Sequence, residues 1–389
     1  MALARVARRM RVVVLGGGYA GVVLTDRLEQ RLPADVDLVV VDDTGDHLVQ
    51  HELHRAIRHP EFADDVVVPL DDIFDRARVE VATVERVDRD ARQVELADGT
   101  SLDYDVAAVC LGAETAYYDL PGVEAHASPL KRLPDAARIR REFENLVKSG
   151  GGTAVVGGAG LSGVQTAGEL AAFAREKDAD IEIVLLEQRE TVAPSFPEQF
   201  RDAVRDELDR EDVEVRTGIT VSRARAEAIE TDDGDVAYDV FVWTGGIRGP
   251  DALGGERVNV RADFAVDDHT LVLGDAARVV DAEGTAVPAS AQAAVREAKV
   301  AARNVEEVVA DLREHDDGFR PRLERYTFDS PGWLVSVGDG AVAQVGPSVF
   351  RGAAANAVKS GVGASYLASA GSIRDVVGLL REEFDLAGE

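Results

Sequence analysis

The sequence predicts an α/β fold: two Rossmann-like dinucleotide-binding domains of the three-layer ββα type, one nested in the other, plus a small C-terminal region. Three observations carry this. Residues 11–43, RVVVLGGGYAGVVLTDRLEQRLPADVDLVVVDD, run as an apolar strand, a Gly-x-Gly-x-x-Gly turn, a helix, a second apolar strand and a terminal acid. Residues 153–187, TAVVGGAGLSGVQTAGELAAFAREKDADIEIVLLE, repeat that order. Strand–turn character then returns at 269–279, HTLVLGDAARV, after the second unit has closed, so the first unit is discontinuous.

Each copy has a chemical reason for its spacing. The first glycine permits a tight strand-to-helix turn, the second lets a pyrophosphate approach the backbone, and the third lets helix pack on strand. Free N–H groups and the dipole at the helix start hold a diphosphate. The acid, roughly 20 residues on, reaches the ribose hydroxyls. The glycines are Gly16, Gly18 and Gly21 with Asp42 in the first copy, and Gly158, Gly160 and Gly163 with Glu187 in the second. Two dinucleotides in one chain point to a flavin that stays and a nicotinamide that comes and goes.

The remaining elements follow in order. Residues 79–112 alternate strand-like runs with turns, and Asp98-Gly99 marks a hairpin. GAETAYYDLPGVEA reads as the crossover into the second domain, which ends in another strand–turn–strand series through VFVWTGG. PASAQAAVREAKVAARNVEEVVADL reads as a long amphipathic helix. Beyond it, RYTFDS and WLVSVGDGAVAQV read as a strand pair, then a small-residue helix near 352–370 and a final amphipathic helix. The domains fall at 1–120 with 249–318, at 121–248, and at 319–389.

Composition narrows the function. A chain of 389 residues has room for two or three domains. It has no apolar run of about 18 residues or more, and MALARVARRM lacks the apolar region of a signal peptide. The expected location is cytoplasmic. The net charge of −29 is spread along the chain, and Lys131, Lys148, Lys177, Lys299 and Lys359 are its only lysines. Such a surface suits concentrated salt, which screens self-repulsion, and speaks against nucleic-acid partners. Cys110 is the only cysteine. It excludes an intramolecular redox disulfide and, within the apolar run DVAAVCLGA, is expected to be a buried strand residue.

These residues resemble type II NADH dehydrogenases, the single-subunit FAD-containing NADH:quinone oxidoreductases, and most closely a haloarchaeal branch of them. The matching segments are VVLGGGYAGV, VVVDDTGDHLVQHEL, YDVAAVCLGAETAYYDLPG, VVGGAGLSGVQTAGEL, LLEQRETVAPSFPE, VWTGGIRG, LGDAARV and PASAQAAV. The resemblance implies that Gly16, Gly18, Tyr19, Ala20, Gly21 and Asp42 hold the ADP half of FAD. It places Val84 at the adenine, Gly112 at the pyrophosphate, Gly274 and Asp275 at the ribityl chain, and Gln292 at the start of a helix aimed at the flavin. It assigns Gly158, Gly160, Gly163, Gln165, Glu187, Gly245 and Gly246 to NADH. Glu187 favours NADH over NADPH by repelling a 2′-phosphate, while Arg189 softens that preference. The implied reaction passes hydride from NADH to the flavin and two electrons on to the quinone pool, of menaquinone type, without proton pumping.

The chain departs from the family at two places. Gln165 stands where Glu is usual near the nicotinamide, and Arg296 stands where a second quinone-site Gln is usual, leaving Gln292 and Arg296 as the quinone candidates. Lys359 is a further candidate near the flavin. The tail GAAANAVKSGVGASYLASAGSI is less apolar than family tails, and reads either as a peripheral contact on the inner face of the membrane or as a homodimer face. Two alternatives to quinone reduction stand beside it: a soluble NAD(P)H oxidoreductase with a protein or small-molecule acceptor, and a flavin- and NAD-binding redox sensor. His47, His51 and His54 have spacing that would place them on one helix face, yet no metal is expected there.

Overall fold

The computed structural model describes residues 9–314, 321–330, 332–352 and 354–355. Its first sheet is parallel, in the order Thr270–Val272, Val106–Val109, Arg11–Leu15, Asp37–Asp42, Arg78–Val81. Val12 to Leu15, Val39 to Val41 and Val106 to Val109 are buried on both faces, as parallel strands covered on each side require. The helices Tyr19–Arg31 and Ala291–Glu314 pack together on one face. An antiparallel sheet of Val84–Asp88, Gln93–Leu96 and Ser101–Asp103 makes the other layer, with Asp98-Gly99 at its hairpin.

The second unit repeats this plan. Its parallel sheet runs Val213–Thr217, Ile181–Glu187, Gly152–Gly157, Val240–Trp243, and its antiparallel sheet Val221–Arg225, Ala228–Thr231, Gly234–Ala237. Helix Leu161–Glu176 follows the second glycine turn. The two crossovers between the units pair with each other, Glu114–Thr115 antiparallel to Ile247–Arg248.

Two expectations for the C-terminal third are corrected. RYTFDS is not a strand: Tyr326 N–H donates to Ala262 O and Tyr326 O accepts Ala282 N–H, both at 2.8 Å, Phe328 N–H donates to Asp281 Oδ2 at 3.1 Å, and Glu324 just before it is tied to Asn304 of helix Ala291–Glu314. The backbone partners of the segment come from two separate turns, at Ala262 and Ala282, rather than from one neighbouring strand. The antiparallel sheet is instead Gly332–Val337, Gly340–Val345, Ser348–Arg351, and Val335, Val337 and Val342 bury themselves in the core of the second unit. The long helix begins at Ala291, three residues after Pro288. Lys359 and nearly all of the two tail helices lie outside the described residues. Among the described residues, no helix is long and apolar enough to cross a membrane.

Candidate functional site

The two glycine turns share their backbone geometry. Gly16 and Gly158 have φ of +102° and +97°, a region that disfavours side chains. Gly16 N–H donates to Val41 O at 2.7 Å and Gly158 N–H to Leu186 O at 2.8 Å. A Cβ on Gly21 would lie 1.8 Å from Gly16 O, and one on Gly163 would lie 1.8 Å from Gly158 O. A Cβ on Gly18 or on Gly160 would meet nothing within 4 Å. The outer glycines are therefore demanded by the fold. The middle ones leave open space at the start of a helix whose first turn carries no acid. That is the shape and polarity a diphosphate fits.

The acids at the strand ends also repeat. Asp42 Oδ2 accepts Gly17 N–H at 2.7 Å and Oδ1 accepts Thr44 N–H at 2.9 Å. Glu187 Oε2 accepts Ala159 N–H at 2.8 Å and Oε1 accepts Arg189 N–H at 2.9 Å. Each carboxylate thus locks its glycine turn to the second strand, a role the ribose argument did not anticipate. Ala20 is buried beside Gly274, whose Cβ would come 3.2 Å from it. Gly112 has positive φ and an open side, and Val84 begins its strand opposite Leu96. Gly245 packs on the second turn, 2.7 Å from a Cβ on Gly158, and Tyr118 lies over Gly246.

Residues missed in the sequence gather around Gly274–Ala276. Arg257 donates from Nε to Asp275 O at 2.7 Å and from Nη2 to Ala277 O at 2.5 Å. Glu297 Oε2 accepts Gly274 N–H at 2.7 Å. Burial pushes its carboxyl up to about 7, against the Gly274 hydrogen bond that lowers it, with Asp275 adding to the rise. Burial pulls the Lys131 amine down, while Asp275 nearby opposes the fall. Lys131, as one of five lysines in the chain, was the one signal available. Gln292 lies 3.1 Å from Ser330 Oγ, and one turn on Arg296 Nη1 is buried with no hydrogen-bond partner.

The three histidines are not on one helix face. His47 is in the strand Asp46–Leu48, His51 in the short turn Gln50–Glu52, and His54 just before Arg55–Arg58. The spacing suits a helix, but the strand pairing of His47 with Val68 overrides it. His47 is 1% exposed, its Nδ1 is 2.9 Å from Gly17 O, and burial lowers its pKa. His51 Nδ1 lies 2.5 Å from Tyr19 Oη, and Gln165 Nε2 donates to His51 O at 3.4 Å. Tyr19 and Gln165, expected at different dinucleotides, therefore meet across one turn. Cys110 is buried, and burial drives its thiol pKa upward.

A family model described as pyridine nucleotide-disulphide oxidoreductase matches residues 10–298. The chain belongs to that family. Among its relatives is the type II NADH:quinone oxidoreductase of Staphylococcus saprophyticus, 23% identical over 334 residues, covering 77% of this chain and 83% of that one. An NADH dehydrogenase-like protein of Bacillus subtilis is 26% identical over 278 residues, 69% of this chain and 76% of that one. In fold, the chain matches the NDH2 of Plasmodium falciparum solved with NADH, with a TM-score of 0.78 at 14% identity, over 91% and 94% of the two chains. It also matches the sulfide:quinone oxidoreductase of Aquifex aeolicus, with a TM-score of 0.76 at 16% identity over 93% and 91%.

Proposed function

We propose that this chain is an FAD-containing NADH dehydrogenase that reduces a quinone of the menaquinone type. The observation that carries the reading is the duplicated glycine turn, each with an open middle glycine, a helix whose first turn carries no acid and an acid-locked backbone. The names of the relatives support the same activity. FAD fits the first turn: Gly18 leaves the room a pyrophosphate needs, and Gly274–Ala276 stands beside the helix that follows that turn. When bound, it supplies the two-electron carrier between NADH and the acceptor. The remaining work belongs to the protein.

In this reading Gly16, Gly18, Tyr19, Ala20, Gly21 and Asp42 hold the ADP half, with Val84 at the adenine and Gly112 at the pyrophosphate. Asp275 orients the ribityl chain, and Arg257 fixes the turn that carries Asp275. Gly158, Gly160, Gly163, Gln165, Glu187, Gly245 and Gly246 receive NADH. The start of helix Ala291–Glu314, with Gln292 and Arg296, faces the acceptor, where an N-terminal dipole favours gain of electrons. The FAD domain comprises 1–120 and 249–318 and the NADH domain 121–248, with 319–389 as a membrane-surface or dimer contact. A haloarchaeal source matches the acidic, lysine-poor surface. Purified protein should carry one FAD per chain and oxidise NADH only when a naphthoquinone is supplied. Absence of FAD, or oxidation indifferent to quinone, contradicts the reading.

A further inference from the structure

We infer that Glu297 is a positioning residue of the flavin site, holding the Gly274–Ala276 turn and taking up a proton from solvent when FAD binds; this rests on the function proposed above. The turn is wedged between two helices. A Cβ on Gly274 would lie 3.2 Å from that of Ala20, at the start of helix Tyr19–Arg31. It would lie 3.8 Å from that of Ala294, on helix Ala291–Glu314.

Two charged side chains fix the turn by its backbone alone. Arg257 donates to Asp275 O and Ala277 O, and Glu297 Oε2 accepts Gly274 N–H at 2.7 Å. The Asp275 carboxylate itself accepts no hydrogen bond among the described residues. It lies in a cleft lined by Arg257, Gly274, Asp275, Ser290 and Glu297. A carboxylate so placed can receive the hydroxyls of a polyol chain. Glu297 acts through it, because releasing Gly274 N–H releases the turn that carries Asp275.

Glu297 is 2% exposed, and the bond from Gly274 is its only hydrogen bond among the described residues. Charged and titratable groups face it from every side. They are Asp275 on the turn, Arg257 before strand Val258–Val260, Cys110 after strand Val106–Val109 and Tyr326 in the 321–330 segment, with Arg296 next to it on its own helix. Burial pushes the Cys110 thiol and the Tyr326 hydroxyl upward, and Glu297 adds to both rises, so neither ionises near neutral pH. Burial pushes the Glu297 carboxyl up to about 7; the Gly274 bond and Arg257 oppose the rise and Asp275 adds to it. A diphosphate at the start of helix Tyr19–Arg31 brings further negative charge to the far side of Ala20, and that favours the protonated carboxyl. The protonated group still accepts Gly274 N–H through its carbonyl oxygen, so the turn stays tied while the charge is removed. The folded chain therefore holds this proton more tightly with FAD than without it. FAD affinity is greatest below pH 7 and falls as pH rises through that value.

The test is FAD affinity against pH. The holoenzyme is diluted at fixed high salt in buffers from about pH 6 to about pH 9, and released FAD is read from its fluorescence at equilibrium. In the parent, Kd should rise about tenfold over that range, the factor that corresponds to one pKa unit gained by Glu297 on binding. Glu297→Gln accepts Gly274 N–H but cannot ionise, so it should match the parent at the acid end and keep that Kd at the alkaline end. Glu297→Ala frees the turn and should bind FAD roughly fivefold or more weakly than Glu297→Gln at every pH. A parent Kd that does not rise with pH overturns the proposal, as does a rise that Glu297→Gln retains. Equal affinity in Glu297→Ala and Glu297→Gln overturns it too. If the parent holds no FAD at any pH, the functional reading falls and takes this proposal with it.

Discussion

At the scale of single residues, the glycines divide into those the fold needs and those a ligand needs. Gly18→Ala meets no neighbour, so the variant should unfold at the same denaturant concentration as the parent without FAD, yet bind FAD at least tenfold more weakly. Gly21→Ala collides with Gly16 O and should lose stability outright; urea titration and flavin fluorescence distinguish the two. Glu297 gives a pH prediction. Its folded-state carboxyl is pushed up to about 7 from 4.5, so the folded chain holds the proton more tightly than the unfolded one. This contribution is therefore greatest at low pH and is lost as pH rises from 4.5 through 7. Glu297→Gln cannot ionise and keeps an acceptor for Gly274 N–H. Its stability relative to the parent should improve by about 2.5 kcal/mol between pH 5 and pH 8, at roughly 1.4 kcal/mol per pKa unit. A constant difference in urea unfolding across that range would contradict it.

At the scale of elements, a chain of charges holds the C-terminal sheet to the second unit. Arg58 meets buried Glu169 at 2.9 Å and Asp339 at 2.7 Å, and Arg175 meets Asp339 and Glu211, both at 2.8 Å. The partners differ in burial, so their deletions should differ in cost. Glu169→Ala leaves Arg58 with the exposed Asp339 as its remaining ion-pair partner in the clamp and should cost about 3 kcal/mol. Asp339→Ala, at an exposed hairpin tip, should cost roughly 1 kcal/mol or less. Equal effects in chemical unfolding would refute this account of the clamp. The glycine elements were legible in the sequence because their spacing is set by local backbone geometry. The RYTFDS segment was misread because its alternation suits a strand, while the N–H and carbonyl of Tyr326 pair with two separate turns, at Ala262 and Ala282, instead of one neighbouring strand. The histidine segment was misread for the same kind of reason, since pairing with Val68 outweighs a helical spacing.

At the scale of the whole molecule, two units of one plan face each other through paired crossovers and the His51 turn. The Lys131, Arg257 and Glu297 cluster could not be read in advance, because three distant segments meet only once both units have folded. The net charge of −29 also acts at this scale. Raising KCl from 0.2 to about 3 M should raise the melting temperature by screening self-repulsion, and a fall over that range would contradict a salt-adapted surface. The central claim is that electrons pass from NADH through a bound flavin to a quinone. Its most direct test is anaerobic stopped-flow of the purified yellow protein in high salt, first with NADH and then with a menaquinone analogue. Loss of the flavin's visible absorbance on NADH, and its return on quinone, is the predicted result; absorbance that NADH leaves unchanged, or that quinone fails to restore, would contradict it.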